Sequence, residues 1–131
     1  MVRCEAMRAV AYIILLLCAA GCMDQDPLNL SQRKVAGRYM LERFESGKFY
    51  LQKKGTKQDG GGCIDGTVEA IGWTNGLIFA KRYSTYRSDP DGWMVIDVAK
   101  QSIVGPLPEG EFRQKYPGVQ ILSPEDAWEK L

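Results

Sequence analysis

Asn75-Gly76 constrains this chain more than any other pair of residues. It sits, with Thr74 before it, between Thr67–Trp73 (TVEAIGW) and Leu77–Tyr83 (LIFAKRY), two runs rich in β-branched and aromatic residues. Asn and Gly both tolerate positive φ, which a tight turn needs if its twist is to match the strands beside it. A β-hairpin is expected across 67–83.

Strand signals continue on both sides. Gly37–Phe44 (GRYMLERF) alternates Tyr39 and Leu41 against Met40 and Glu42, Glu45-Ser46-Gly47-Lys48 reads as a turn, and Phe49–Lys53 returns. Lys54–Gly62 is a loop rich in Gly and Lys, and 83–92 is a polar loop closing on Asp89-Pro90-Asp91-Gly92. Trp93–Val98 (WMVIDV) has the continuous apolar character of a buried strand, and Ser102–Val104 begins its return. Toward the C-terminus Pro108–Tyr116 predicts a short helix weakened by Gly110, and Val119–Leu122 a short strand. Ser123-Pro124-Glu125-Asp126 is a helix start, with Ser at the N-cap, Pro in the first turn and acids at the positive dipole end. The expected fold is mainly β (α+β), an antiparallel meander of five to seven strands with one or two short C-terminal helices.

Composition narrows function by exclusion. Among 131 residues there is no His, so no Ser-His-Asp triad, Cys-His dyad, imidazole general base or imidazole metal ligand exists. Seventeen Lys+Arg stand against sixteen Asp+Glu, without the basic excess of a nucleic-acid binder. The balance is local, however: Arg33–Lys57 holds eight basic residues and two acidic ones. Next to a membrane such a segment leans on anionic headgroups or a cell-wall polymer; in solution it is a solvated strand face.

The N-terminus has a different character. Arg3 and Arg8 precede the uncharged run Ala9–Leu17 (AVAYIILLL), and the small residues Ala19-Ala20-Gly21 end at Cys22. A basic flank, a short apolar stretch and a small-residue zone make an export signal. The 13 residues from Ala9 to Gly21 fall short of the roughly 18–20 that span a bilayer as a helix. Met23–Arg33 is polar, contains Pro27 and has no aromatic residue, so it reads as a tether. The expected organisation is a signal peptide at 1–21, a tether at 22–34 and one β-rich domain at 35–131.

Ala19-Ala20-Gly21-Cys22 resembles the lipobox of bacterial lipoproteins. The resemblance implies cleavage between Gly21 and Cys22, with diacylglycerol on the Cys22 thiol and acylation of its new amino group, a palmitate-type membrane anchor. Two or three acyl chains anchor stably where one binds marginally. By the same resemblance, Met23 rather than Asp after the Cys implies the outer membrane, facing the periplasm, in a host with two membranes. In other hosts the implied place is the outer face of the plasma membrane. Residues 71–112 are also similar to a family of small uncharacterised bacterial envelope proteins. The similarity rests on Ile71-Gly72-Trp73, Ile78-Phe79-Ala80-Lys81, Trp93–Asp97, Gly105-Pro106-Leu107 and Phe112. It implies a fold and an envelope location only.

Removal of 1–21 takes two Arg and one Glu with it, leaving fifteen residues of each charge. It also removes Cys4 and Cys18. With Cys22 lipidated, Cys63 has no intrachain partner, and with no His beside it Cys63 reads as an inert, half-buried thiol. Gly60-Gly61-Gly62 precedes a strand, the reverse of a phosphate-cradling loop, and no Gly-Lys-Ser/Thr follows. Asp89-x-Asp91-Gly92 opens like a calcium loop, but Trp93–Ile96 supply no further oxygen ligands, so no metal site is expected. No cofactor motif is present.

Arg82, Tyr83, Tyr86, Arg87 and Trp93 mix cations with aromatics and form the candidate binding surface. The leading functional expectation is a membrane-anchored, non-enzymatic module that binds or scaffolds an envelope protein or cell-wall polymer. The alternatives are a tethered hydrolase using carboxylates such as Asp65 and Asp97, with Glu69 a further candidate, and a secreted inhibitor acting through the 83–93 loop.

Overall fold

The computed structural model describes residues 31–55, 61–84 and 88–131. The segment read as an export signal, the expected cleavage pair Gly21 and Cys22, most of the segment read as a tether, and Tyr86 and Arg87 lie outside the described residues.

Among the described residues, seven strands form two antiparallel sheets. β1 (Gln32–Ala36), β2 (Tyr39–Arg43) and β3 (Phe49–Lys53) make a three-stranded sheet in that order. β4 (Gly66–Thr74), β5 (Leu77–Ser84), β6 (Gly92–Asp97) and β7 (Ser102–Leu107) make a four-stranded meander. Two seven-residue helices follow, α1 (Glu109–Lys115) and α2 (Pro124–Lys130). The expected mainly β meander with two short C-terminal helices is the architecture present.

Period-two alternation sets the core. Tyr39 and Leu41 of β2 and Phe49 and Leu51 of β3 turn one face of the smaller sheet inward, and all four are buried. They meet Val68, Ile71, Ile78, Ala80, Met94 and Ile96 from the larger sheet, and Ala127 and Trp128 of α2 close the same cluster. The opposite face of the larger sheet carries Phe79, Trp93 and Val95, which Phe112 of α1 covers. β6 is therefore buried on both faces, which explains its unbroken apolar run.

Close approach explains one glycine in particular. A Cβ on Gly72 would lie 2.5 Å from the Gln120 carbonyl oxygen and 2.9 Å from Ile121 Cδ1, so only Gly lets the 119–122 segment cross β4. That segment was expected to be a strand. It makes a single bridge instead, with Ile71 N–H donating to Leu122 O at 2.9 Å and Leu122 N–H to Ile71 O at 2.8 Å.

The 75–76 turn joins β4 to β5 as expected, but only Gly76 takes a positive φ, of 84°. Asn75 stays in the ordinary region, so Gly76 alone uses the conformational freedom that the pair offers. Two elements were not anticipated. Gly62–Ile64 is a 3-10 turn within the expected loop and strand boundary. β1 begins at Gln32, inside the segment read as tether, because its backbone pairs with Glu42, Leu41 and Met40 of β2. Arg33 then reaches α2, where its guanidinium stacks 4.6 Å from the Trp128 ring and donates to the Trp128 carbonyl.

Candidate functional site

Of the described members of the proposed binding set, Arg82 and Trp93 are buried and Tyr83 is exposed. Strand alternation sends Arg82 inward with Ile78 and Ala80, and it is only 6% exposed. Its guanidinium donates to Ile64 O at 3.0 Å and Pro90 O at 2.6 Å, tying the 3-10 turn to the loop before β6. Its Nε has no hydrogen-bond partner. Trp93 is also buried, stacked on Phe112 and donating its indole N–H to a Glu109 carboxylate oxygen. Both residues hold the fold together, and of the described members only Tyr83 is open to solvent, at 55%. Counting by twos from Ile78 places Arg82 inside, a signal outweighed by the mixture of cations and rings around it.

Tyr83 belongs to a different site. A groove of about 360 Å³ runs along the free side of β4, bounded by the β2–β3 turn and the first residues of α2. Its polar lining includes Lys48, Thr67, Glu69, Tyr83, Ser123 and Glu125, with Phe49 and Val68 as apolar floor. Thr67 and Tyr83 are cross-strand partners, so both reach the groove from one end of the β4–β5 ladder. Glu69 sits where the β4–β5 register shifts, between Val68 and Ala70, and is exposed. The Ser123 hydroxyl oxygen caps α2 by accepting from Asp126 N–H at 3.1 Å. Lys48, Glu69 and Glu125 come from three elements distant in sequence, and no local pattern links them.

The volume falls within the roughly 300–1,000 Å³ of small-ligand clefts. The lining supplies two aromatic rings, two carboxylates, one ammonium and three hydroxyls. Such a set suits a polar ligand with an apolar face better than a fully apolar one.

The carboxylates considered for hydrolysis are separated. Asp65 caps the 3-10 turn next to Gly66, which pairs with Ser84, whereas Asp97 pairs with Leu77 at the other end of the β5 ladder. Asp97 Oδ1 accepts from Lys100 N–H at 3.0 Å and closes the β6–β7 turn. Asp91 Oδ1 accepts from Ser84 N–H at 2.7 Å, so the calcium-like sequence makes a loop contact. Among the described residues no group of three or more Cys, Asp or Glu side chains is placed to hold a metal ion.

Burial pushes the Cys63 thiol up to about 12, an environment opposite to that of an activated nucleophile. Tyr39, buried against the same region, has its phenol pKa raised chiefly by desolvation, and its hydroxyl has no hydrogen-bond partner. Glu109 moves the other way. The Trp93 indole N–H holds its carboxyl below the usual range, helped by Arg113 at 2.9 Å and Lys81 at 3.5 Å.

Among the described residues no helix is long and apolar enough to cross a membrane. No family model matches the chain, and neither the curated proteins nor the solved structures contain a match.

Proposed function

We propose that this chain is a lipid-anchored envelope protein whose β domain binds a cell-wall polymer in the groove beside β4. The observation that carries the binding half is the meeting of an exposed Tyr83 ring with Lys48, Glu69 and Glu125 around one cleft. A sugar ring presents C–H groups on one face and hydroxyls at its rim. The Tyr83 face suits the former, and the carboxylates and ammonium suit the latter. The anchoring half is supported by Ala19-Ala20-Gly21-Cys22 behind a short apolar run.

The two halves have separate tests. Metabolic labelling with a radioactive fatty acid is expected to mark the wild-type protein and not Cys22→Ser; equal labelling of both overturns the anchor. Co-sedimentation with purified cell-wall polymer is expected to recover the wild-type protein and several-fold less of Tyr83→Ala. Equal recovery with an unchanged melting temperature overturns the groove as the binding site.

A further inference from the structure

The two edges of the four-stranded sheet are treated differently. At the β4 edge, Ile71 pairs with Leu122 of the same chain. At the other edge, β7 pairs with β6 on one side and with no described strand on the other. β7 reads SIVGPL and carries no charge, although a charged residue is the usual device that keeps an open edge from pairing. Ile103 is 37% exposed and Val104 55%. Pro106 lacks a donor, so Ser102–Gly105 is the part open to further pairing.

A cleft of about 190 Å³ adjoins this edge. Leu77, Val95 and Val104 form its floor on neighbouring strands, with Tyr116 beside them. α1 covers Phe79 and Trp93 farther along the same face and ends at Lys115, beside the cleft. Lys100 and Lys115 stand at the rim, and among the described residues neither has an ion-pair partner. Asp97 also lines the cleft; its carboxylate accepts from the Lys100 backbone N–H and keeps its charge, so two ammonium groups stand against one carboxylate there.

We propose that β7 is a docking edge for an extended acidic segment of a partner protein. The segment adds a strand beside Ser102–Gly105, sets alternate apolar side chains against Val104 and Leu77, and places carboxylates against Lys100 and Lys115. Main-chain bonds along the edge supply affinity, and the cleft with its two cations supplies selectivity. Charge selects this occupant over a second copy of the chain. The uncharged β7 of a second copy would bring no carboxylate to Lys100 and Lys115. The proposal is independent of the lipid anchor and of the β4 groove.

The test is an NMR titration of the isotope-labelled full chain with a capped peptide alternating glutamate and valine, and with its lysine–valine counterpart. The glutamate peptide is expected to shift the amides of Ser102–Gly105 and slow their hydrogen exchange, while the lysine peptide leaves them unchanged. Lys100→Glu combined with Lys115→Glu, two exposed positions, is expected to weaken the glutamate peptide about tenfold and to admit the lysine peptide. Val104→Ser, which removes the apolar contact without adding charge, is expected to weaken the glutamate peptide while leaving the far-ultraviolet dichroism unchanged. Equal binding of both peptides, or shifts confined elsewhere, overturns the proposal. So does self-association without peptide that Val104→Ser abolishes, which identifies a second copy as the occupant. Capture by phosphatidylglycerol vesicles that depends on Val104 overturns it in favour of a lipid surface.

Discussion

The indole of Trp93 lies flat on the ring of Phe112, with centroids 4.0 Å apart and planes inclined by 10°. The contact joins β6 to α1, a helix of seven residues that is too short to persist alone in water. Glu109, in the first turn of that helix, accepts from the Trp93 indole and pairs with Lys81 and Arg113. One carboxylate thus links α1 to two strands of the larger sheet.

Glu109 titrates below the ordinary carboxylate range in the folded protein. Its contribution is complete above the unfolded value, near 4.3, and is lost as pH falls through the lower folded value. Trp93 emission is expected to change over that acidic window in the wild type and to stay flat in Glu109→Gln. At neutral pH Glu109→Gln is expected to cost about 1 kcal/mol, below the roughly 1.5–3 kcal/mol of a charged hydrogen bond because the carboxylate is half exposed. Urea unfolding monitored by dichroism checks the loss.

Cys63 is expected to resist alkylation at neutral pH. Its thiol is pushed up to about 12, so almost none is thiolate in the native state. Iodoacetamide labelling mapped to the Cys63 peptide should be minimal for the folded protein and complete in denaturant. Rapid labelling of the native chain would contradict the burial.

Gly72→Ala is expected to destabilise by about 1–3 kcal/mol, because the new methyl group meets the Gln120 carbonyl before any flexible side chain can move aside. The damage should be local. Hydrogen exchange of Leu122 N–H, which donates to Ile71 O, rises, while the amides of β2 and β3 change little.

Arg82→Lys keeps the charge and loses the fork that reaches Ile64 O and Pro90 O together. A loss of about 2 kcal/mol is expected, read as a lower urea midpoint at an unchanged m-value. An unchanged midpoint would show that the two carbonyl bonds contribute nothing net.

Much of the fold was legible because its signals were local. Asn75-Gly76 between two apolar runs marks β4 and β5, and Ser123-Pro124 marks the start of α2. β1 was not legible. Gln32-Arg33-Lys34 has no apolar alternation, and its place is set by pairing with β2 and by Trp128 far along the chain. The site was harder still. Trp93 and Arg82 carry the chemistry of a binding surface, yet both are consumed by internal contacts that depend on which face the strand turns outward. Lys48, Glu69 and Glu125 meet Tyr83 only after two sheets and a helix have packed, and no spacing announces that meeting.

The clamp between Arg33 and Trp128 makes a closed circuit of the described chain. Arg43 stacks on the same indole at 4.8 Å, so the ring is held by guanidinium groups from both β1 and β2. Terminal elements are ordinarily the first parts of a domain to fray. Here the first strand and the last helix restrain each other, and neither peels away without uncovering the other. Loss of α2, by proteolysis or by a truncating mutation, would therefore loosen β1 at the far end of the sequence. Damage confined to the last eight positions would be felt at Gln32–Ala36.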